Sequence, residues 1–139
     1  MRSELFLDAS YAIALGSPRD QHHTAAIALA GRIELEDSRL VTTRAVLLEI
    51  GNALAKRQHR SAAVVLLNAI EHDRAVEVVP LSEDLFQQGW DLYRQHRDKE
   101  WGLTDCLSFA LMRSRGTTAA LTADDHFRQA GFQVLLGSM

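Results

Sequence analysis

Five short apolar segments, each bounded by an acid, a threonine, a proline or a glycine and separated from the next by helical periodicity, confine this chain to an alternating α/β fold. They are Glu4 to Asp8, Arg39 to Thr42, Ala75 to Val79, Thr118 to Thr122 and Phe132 to Leu136. Strands that recur only after a helical crossover pair in parallel, and a parallel sheet has to be covered on both faces. The expected architecture is therefore a three-layer α/β/α sandwich with a mainly parallel central sheet. With 139 residues, 47% of them hydrophobic, and no repeat or linker, the chain reads as one domain, residues 1–139. A domain of that size buries about two-thirds of its unfolded surface without help from disulfides.

The intervening helices have their own signals. Ser17-Pro18-Arg19-Asp20 has the form of a capped start, with proline at the first helical position, and predicts a helix running to about Ile33. Thr43 is placed to cap a helix through Val46, Leu47, Ile50, Ala53 and Leu54. Another is expected from Ser61 to near Glu71, and a long one from Ser82, with Leu81 and Phe86 as its hydrophobic staple. Leu85, Gly89, Leu92 and His96, flanked by Phe86, Trp90 and Tyr93, form the expected buried face of that long helix. Thr104 is the expected cap of a helix from Asp105 to Arg115 that Gly116 ends, and a short helix from Asp124 to Ala130 ends at Gly131.

Ligands of open parallel sheets bind beyond the carboxyl ends of the strands. Asp8 and Asp124 stand at or just past such ends, while Glu49 and Asp105 lie within the first turns of helices leaving the same edge. Glu49 is an acid inside an otherwise apolar helix face, where an uncompensated carboxylate is costly. Two like charges about 4 Å apart repel by about 1 kcal/mol in water and about 4 kcal/mol at an effective dielectric near 20. Four converging acids need compensation, either raised pKa values or a hard divalent cation such as Mg²⁺ or Mn²⁺, which takes oxygen ligands and keeps waters for a phosphate.

Four segments in order and spacing carry a family likeness. Phe6-Leu7-Asp8-Ala9-Ser10, Thr43 to Glu49, Leu103-Thr104-Asp105-Cys106-Leu107-Ser108 and Leu121-Thr122-Ala123-Asp124-Asp125-His126-Phe127 resemble the acidic motifs of PIN domains. The likeness spans nearly the whole chain and is greatest to the VapC-type toxins of bacterial toxin–antitoxin pairs. The resemblance implies a metal-dependent endoribonuclease that hydrolyses RNA phosphodiesters to a 5′-phosphate and a 3′-hydroxyl. It further implies Asp8 and Asp105 as direct Mg²⁺ or Mn²⁺ ligands, Glu49 and Asp124 as the remaining pocket acids, and Ser10 as the hydroxyl that orients Asp8. Thr104 is a supporting residue, and Asp125 is the neighbour that could replace or assist Asp124, or simply cap the short helix. A cognate antitoxin with a basic group for the acidic crevice, and a homodimer formed through early helices, are implied partners. A solitary RNA-processing PIN nuclease, or a PIN-like module that binds RNA or protein without cutting, are the alternatives.

Other readings fare less well. A receiver domain needs an early acidic pair, a phosphoacceptor after the middle strand and a late lysine, and a haloacid-dehalogenase-like phosphatase needs an aspartate where this chain has Ser10. His22 and His23 point about 100° apart on a helix and lack a third ligand at zinc spacing. His126, beside Asp124 and Asp125, reads as a helix-surface residue with a role near substrate as the alternative, Cys106 as a buried structural thiol, and Asp84, Asp91 and Asp98 as surface charges. The net charge of −3 argues against affinity for nucleic acid through overall positive potential, although Arg44, Lys56, Arg57, Arg60, Arg94, Arg97 and Lys99 could form a local basic rim. A single cysteine, no targeting signal and no apolar run near the ~20 residues of a membrane span make a reducing cytoplasm the expected compartment.

Overall fold

The computed structural model describes residues 3–137 and contains one sheet of five parallel strands. In chain order the elements are β1 (Glu4–Leu7), α1 (Ala9–Gly16), α2 (His23–Leu35), β2 (Arg39–Thr43), α3 (Arg44–Ala53), α4 (Arg57–His72) and β3 (Val76–Val79). Then come α5 (Glu83–Gln95), α6 (Leu103–Arg115), β4 (Ala119–Leu121), α7 (Asp125–Gln129) and β5 (Gln133–Val134). The strand order is β3-β2-β1-β4-β5. The first three strands step outward in one direction, and the crossover from β3 to β4 returns to the other side of β1. Because parallel crossovers share one hand, reversing the direction of travel moves the helices to the opposite face. The packing follows this division except where α3 meets α6: α1 contacts α2, α3 and α4, and α6 contacts α5 and α7. The three-layer α/β/α sandwich expected from the sequence is the fold observed. None of the helices among the described residues is long and apolar enough to cross a membrane.

The core is anchored by Phe6, Val41, Val46, Ile50, Phe109, Met112, Leu121 and Phe127, all wholly buried. An aromatic chain runs through it toward the strand ends. Trp101 meets Phe109 edge-on at 5.0 Å, Phe109 meets Phe127 edge-on at 5.0 Å, and Phe127 lies 6.1 Å from Phe6. Edge-to-face geometry of this kind is worth about 0.5–1.5 kcal/mol per pair beyond area burial. It also ties α6, α7 and β1 together, the elements that carry Asp105, Asp124 and the strand end before Asp8.

Several local expectations change. Residues 9–16 form α1, for which the sequence has no amphipathic period because Ala9, Tyr11, Ala12 and Ala14 are all buried. Ser17 to Asp20 does not start a helix: the Asp20 carboxylate accepts from the His22 backbone N–H at 2.8 Å, a local turn that competes with helix initiation, and α2 begins at His23. Helix α4 starts at Arg57 rather than Ser61, and β4 and β5 are shorter than their apolar segments. On α5 only Leu85 and Gly89 are fully buried, whereas Phe86, Trp90 and Tyr93 are 40–44% exposed. The reason lies at Gly89, where a Cβ would come within 2.5 Å of Leu107 Cδ2 and 3.0 Å of Leu107 Cα. Helix α6 approaches α5 through that glycine, so the aromatic residues turn away from the contact.

Candidate active site

The order of strands reverses between β1 and β4, and the crevice beyond their carboxyl ends is where the functional side chains meet. Asp8 follows β1 directly, and its backbone N–H donates to Leu121 O of β4 at 3.2 Å, which fixes the chain before it turns into α1. Asp8 as a whole is 5% exposed. Thr122 Oγ1 donates to Asp8 Oδ2 at 2.8 Å, and Ser10 Oγ lies 3.4 Å from the same oxygen and 3.0 Å from Thr122 Oγ1. The backbone answers this hydroxyl pair from the other side, with Ala123 N–H donating to Ser10 Oγ and Asp124 N–H to Thr122 Oγ1, both at 3.0 Å. Ser10 therefore does lie against Asp8, with Thr122 as the hub that joins Asp8, Ser10 and the Asp124 backbone.

Replacing Thr122 by valine keeps volume and β-branching but removes that hub. Thr122→Val is expected to lower stability by about 1–3 kcal/mol, the cost of buried groups left without a partner, and to reduce activity by freeing the Asp8 carboxylate. Urea unfolding followed by circular dichroism measures the first effect and a cleavage assay the second.

Two helix starts deliver the next acids. Gly102, not Thr104, occupies the cap position of α6, and Asp105 in its first turn accepts from the Gly102 N–H at 3.2 Å. Asp124 caps α7 by accepting from His126 N–H at 2.9 Å. The His126 ring then sits between them, Nδ1 lying 3.2 Å from Asp105 Oδ2 and 3.4 Å from Asp124 Oδ1. One donor atom from each of Asp105, Asp124 and His126 lies within 4.8 Å of the other two. His126 is thus part of the acidic crevice and not simply a helix-surface residue. Its position two residues past Asp124, in the first turn of a capped helix, was the available signal.

Glu49 is not the buried acid expected from its neighbours, since α3 turns it and Leu48 outward. It lines an open groove with Leu48, Leu81, Phe86, Leu103 and Thr104, at the rim of the acidic crevice. Thr104 does not cap α6 and contributes a wall of that groove. Asp125 is engaged by Arg128 on its own helix and remains largely exposed. Arg44, Arg94 and Lys99 are likewise occupied by Glu71, Asp91 and Asp98.

The electrostatics follow from this convergence. Burial pushes the Asp8 carboxyl up to about 6, opposed by the Thr122 hydroxyl and the Ala9 N–H and reinforced by Asp105 and Asp124. Partial desolvation at the rim, then the charges of Asp8, Asp105 and Asp124, raise Glu49 to about 7. Asp105 is also raised, by burial and then Asp124, with His126 and the Gly102 N–H acting the other way. Among the described residues no lysine or arginine pairs with any of the four acids. Oxygen donors with one imidazole and no internal counter-charge have the chemistry of a divalent-cation site. Cys106, beside Asp105, is wholly buried, and burial pushes its thiol up to about 11, which keeps it inert.

The PIN domain family model matches residues 5–133. The chain is 33% identical over 128 residues to the 23S rRNA-specific endonuclease VapC20 of Mycobacterium tuberculosis, covering 92% of this chain and 95% of that protein. The crystal structure of M. tuberculosis VapC20, a Sarcin-Ricin loop cleaving toxin, matches with a TM-score of 0.80 at 32% identity over 92% of this chain and 95% of that one. VapBC2 from Rickettsia felis and FitAcB from Neisseria gonorrhoeae each match with a TM-score of 0.65, at 11% and 18% identity, over 94% of this chain and 96% of theirs. These two share its fold.

Proposed function

The chain belongs to the PIN domain family, and from that premise we propose that it is a divalent-metal-dependent endoribonuclease, the toxin of a type II toxin–antitoxin pair. The observation that carries this reading is the meeting of Asp8, Asp105 and Asp124 at the β1/β4 strand ends, without a basic partner, in a relative of a 23S rRNA-specific endonuclease. Asp8 and Asp105 are the proposed direct ligands of Mg²⁺ or Mn²⁺, with Asp124 and Glu49 completing the acidic pocket. A divalent cation there supplies Lewis acidity toward the scissile phosphoryl group and a lowered pKa for water.

The protein's own groups account for the rest. Thr122 and Ser10 hold the Asp8 carboxylate in one orientation, so no reorganisation is needed when substrate arrives. The Gly102 N–H does the same for Asp105. The Glu49 carboxylate, at an accessible rim beside these acids, is the group proposed to take the proton of the attacking water. Attack at phosphorus with departure of the ribose 3′ oxygen leaves a 5′-phosphate and a 3′-hydroxyl.

By likeness to VapC20 the proposed substrate is a structured ribosomal RNA loop. A small antitoxin with a basic group for the acidic crevice, a homodimer and a cytoplasmic location complete the proposal. Incubating the protein with total RNA, with and without Mn²⁺, and mapping the new ends tests it. Discrete metal-dependent cuts bearing 5′-phosphates are expected. Undiminished cutting in excess chelator would remove the metal from the mechanism, and intact RNA at every metal concentration would remove the nuclease.

A further inference from the structure

We infer that His126 is a nitrogen ligand in this cation site, and that it turns the site's preference from Mg²⁺ toward Mn²⁺. The inference rests on the proposed metal site and adds a nitrogen ligand to its four acids. Neighbouring ligands of an octahedral ion at about 2.1 Å are about 3.0 Å apart. His126 Nδ1 lies 3.2 Å from Asp105 Oδ2 and 3.4 Å from Asp124 Oδ1, close to that spacing on both sides. A small movement of the three atoms toward one another satisfies it.

The ring is held there by its own backbone. Its N–H donates to Asp124 Oδ1 at 2.9 Å, and the next residue, Phe127, is wholly buried against Phe6 and Phe109. The imidazole and the Asp124 carboxylate thus leave the first turn of α7 as one unit. With the ring proton on Nε2, the Nδ1 lone pair faces both carboxylates, the tautomer a ligand requires.

Donor chemistry supplies the consequence. Mg²⁺ favours oxygen ligands and sheds water reluctantly, whereas imidazole suits transition ions better, and Mn²⁺ is a transition ion that also accepts carboxylates and octahedral geometry. A histidine that only oriented Asp105 by hydrogen bonding would strengthen both cations alike, and losing such a partner costs about 10- to 100-fold in affinity whatever the ion. Selectivity separates the two roles.

The experiment is calorimetric titration of the whole chain with Mn²⁺ and with Mg²⁺, without RNA, for wild type, His126→Ala and His126→Asn. Electron-spin-echo measurement of nitrogen coupling to bound Mn²⁺ accompanies it. Wild type is expected to prefer Mn²⁺ by about tenfold or more, with directly bonded nitrogen visible. His126→Ala should lose most of that ratio and the nitrogen signal, and His126→Asn, which offers an amide oxygen in nearly the same place, should bind both cations with little preference. Equal weakening of both cations in the variants, or no directly bonded nitrogen in wild type, would overturn the assignment. If neither cation bound, the metal reading itself would fall, whereas cation binding with nitrogen coupling but no RNA cleavage would leave this inference standing and sink the nuclease.

Discussion

Asp105→Asn is expected to slow RNA cleavage by about a hundred- to a thousandfold while the protein stays folded. The rate effect follows from the charge: a carboxylate that holds the cation against the phosphoryl group contributes several kcal/mol of transition-state stabilisation, and about 1.4 kcal/mol is a factor of ten. The retained fold follows from the local geometry. Asp105 accepts from the Gly102 N–H at 3.2 Å, and an asparagine carbonyl accepts the same bond, so the start of α6 keeps its cap. Asp125→Asn is the matched control, because that acid pairs with Arg128 and stays exposed, and its loss should leave cleavage within about twofold. Rates measured under single-turnover conditions, with circular dichroism on each variant, check both. Equal activity of Asp105→Asn and wild type would dismantle the site as described.

Asp8, Asp105 and Asp124 are legible because each stands near a break between two periodicities. Asp8 ends an apolar segment, Asp124 comes two residues after another, and in a parallel sheet such ends share one edge. What the sequence hid depended on contacts between distant residues. Glu49 looks buried among Val46, Leu47 and Ile50, yet α3 packs through those three and presents Glu49 on the other side. Phe86, Trp90 and Tyr93 share a helical face with Leu85, but α5 docks on α6 through Gly89, where only the absence of a side chain allows the approach. His126 and Asp105 are 21 residues apart, and no periodicity connects them. Ser17 to Asp20 misleads for the opposite reason, since a purely local hydrogen bond from the His22 N–H consumes the side chain that resembled part of a cap.

The second large effect is on stability, and its sign is unusual for a carboxylate. Asp8 ionises at about 6 in the fold against 3.8 ordinarily, so the folded protein holds a proton that the unfolded chain releases earlier. Between those values the native state binds more protons, and stability must fall as pH rises. At about 1.4 kcal/mol per pH unit, the ionised Asp8 costs the metal-free fold about 3 kcal/mol above pH 6. Glu49, raised to about 7 mainly by partial desolvation, extends the decline toward neutral pH. The metal-free protein should therefore melt at a higher temperature at pH 5 than at pH 8, the reverse of a protein held by salt-bridged acids. Asp8→Asn keeps an acceptor for the Thr122 hydroxyl and carries no charge, so it should flatten this dependence and raise the melting temperature of the metal-free protein at pH 8. A divalent cation should stabilise wild type at pH 8, as any ligand specific to the native state does, and should have little effect on Asp8→Asn. Thermal scans in chelator and in Mn²⁺ at both pH values read all of these outcomes. If Asp8→Asn melted lower than wild type in chelator at pH 8, Asp8 would be a structural acid rather than one held at a cost in stability for the cation it binds.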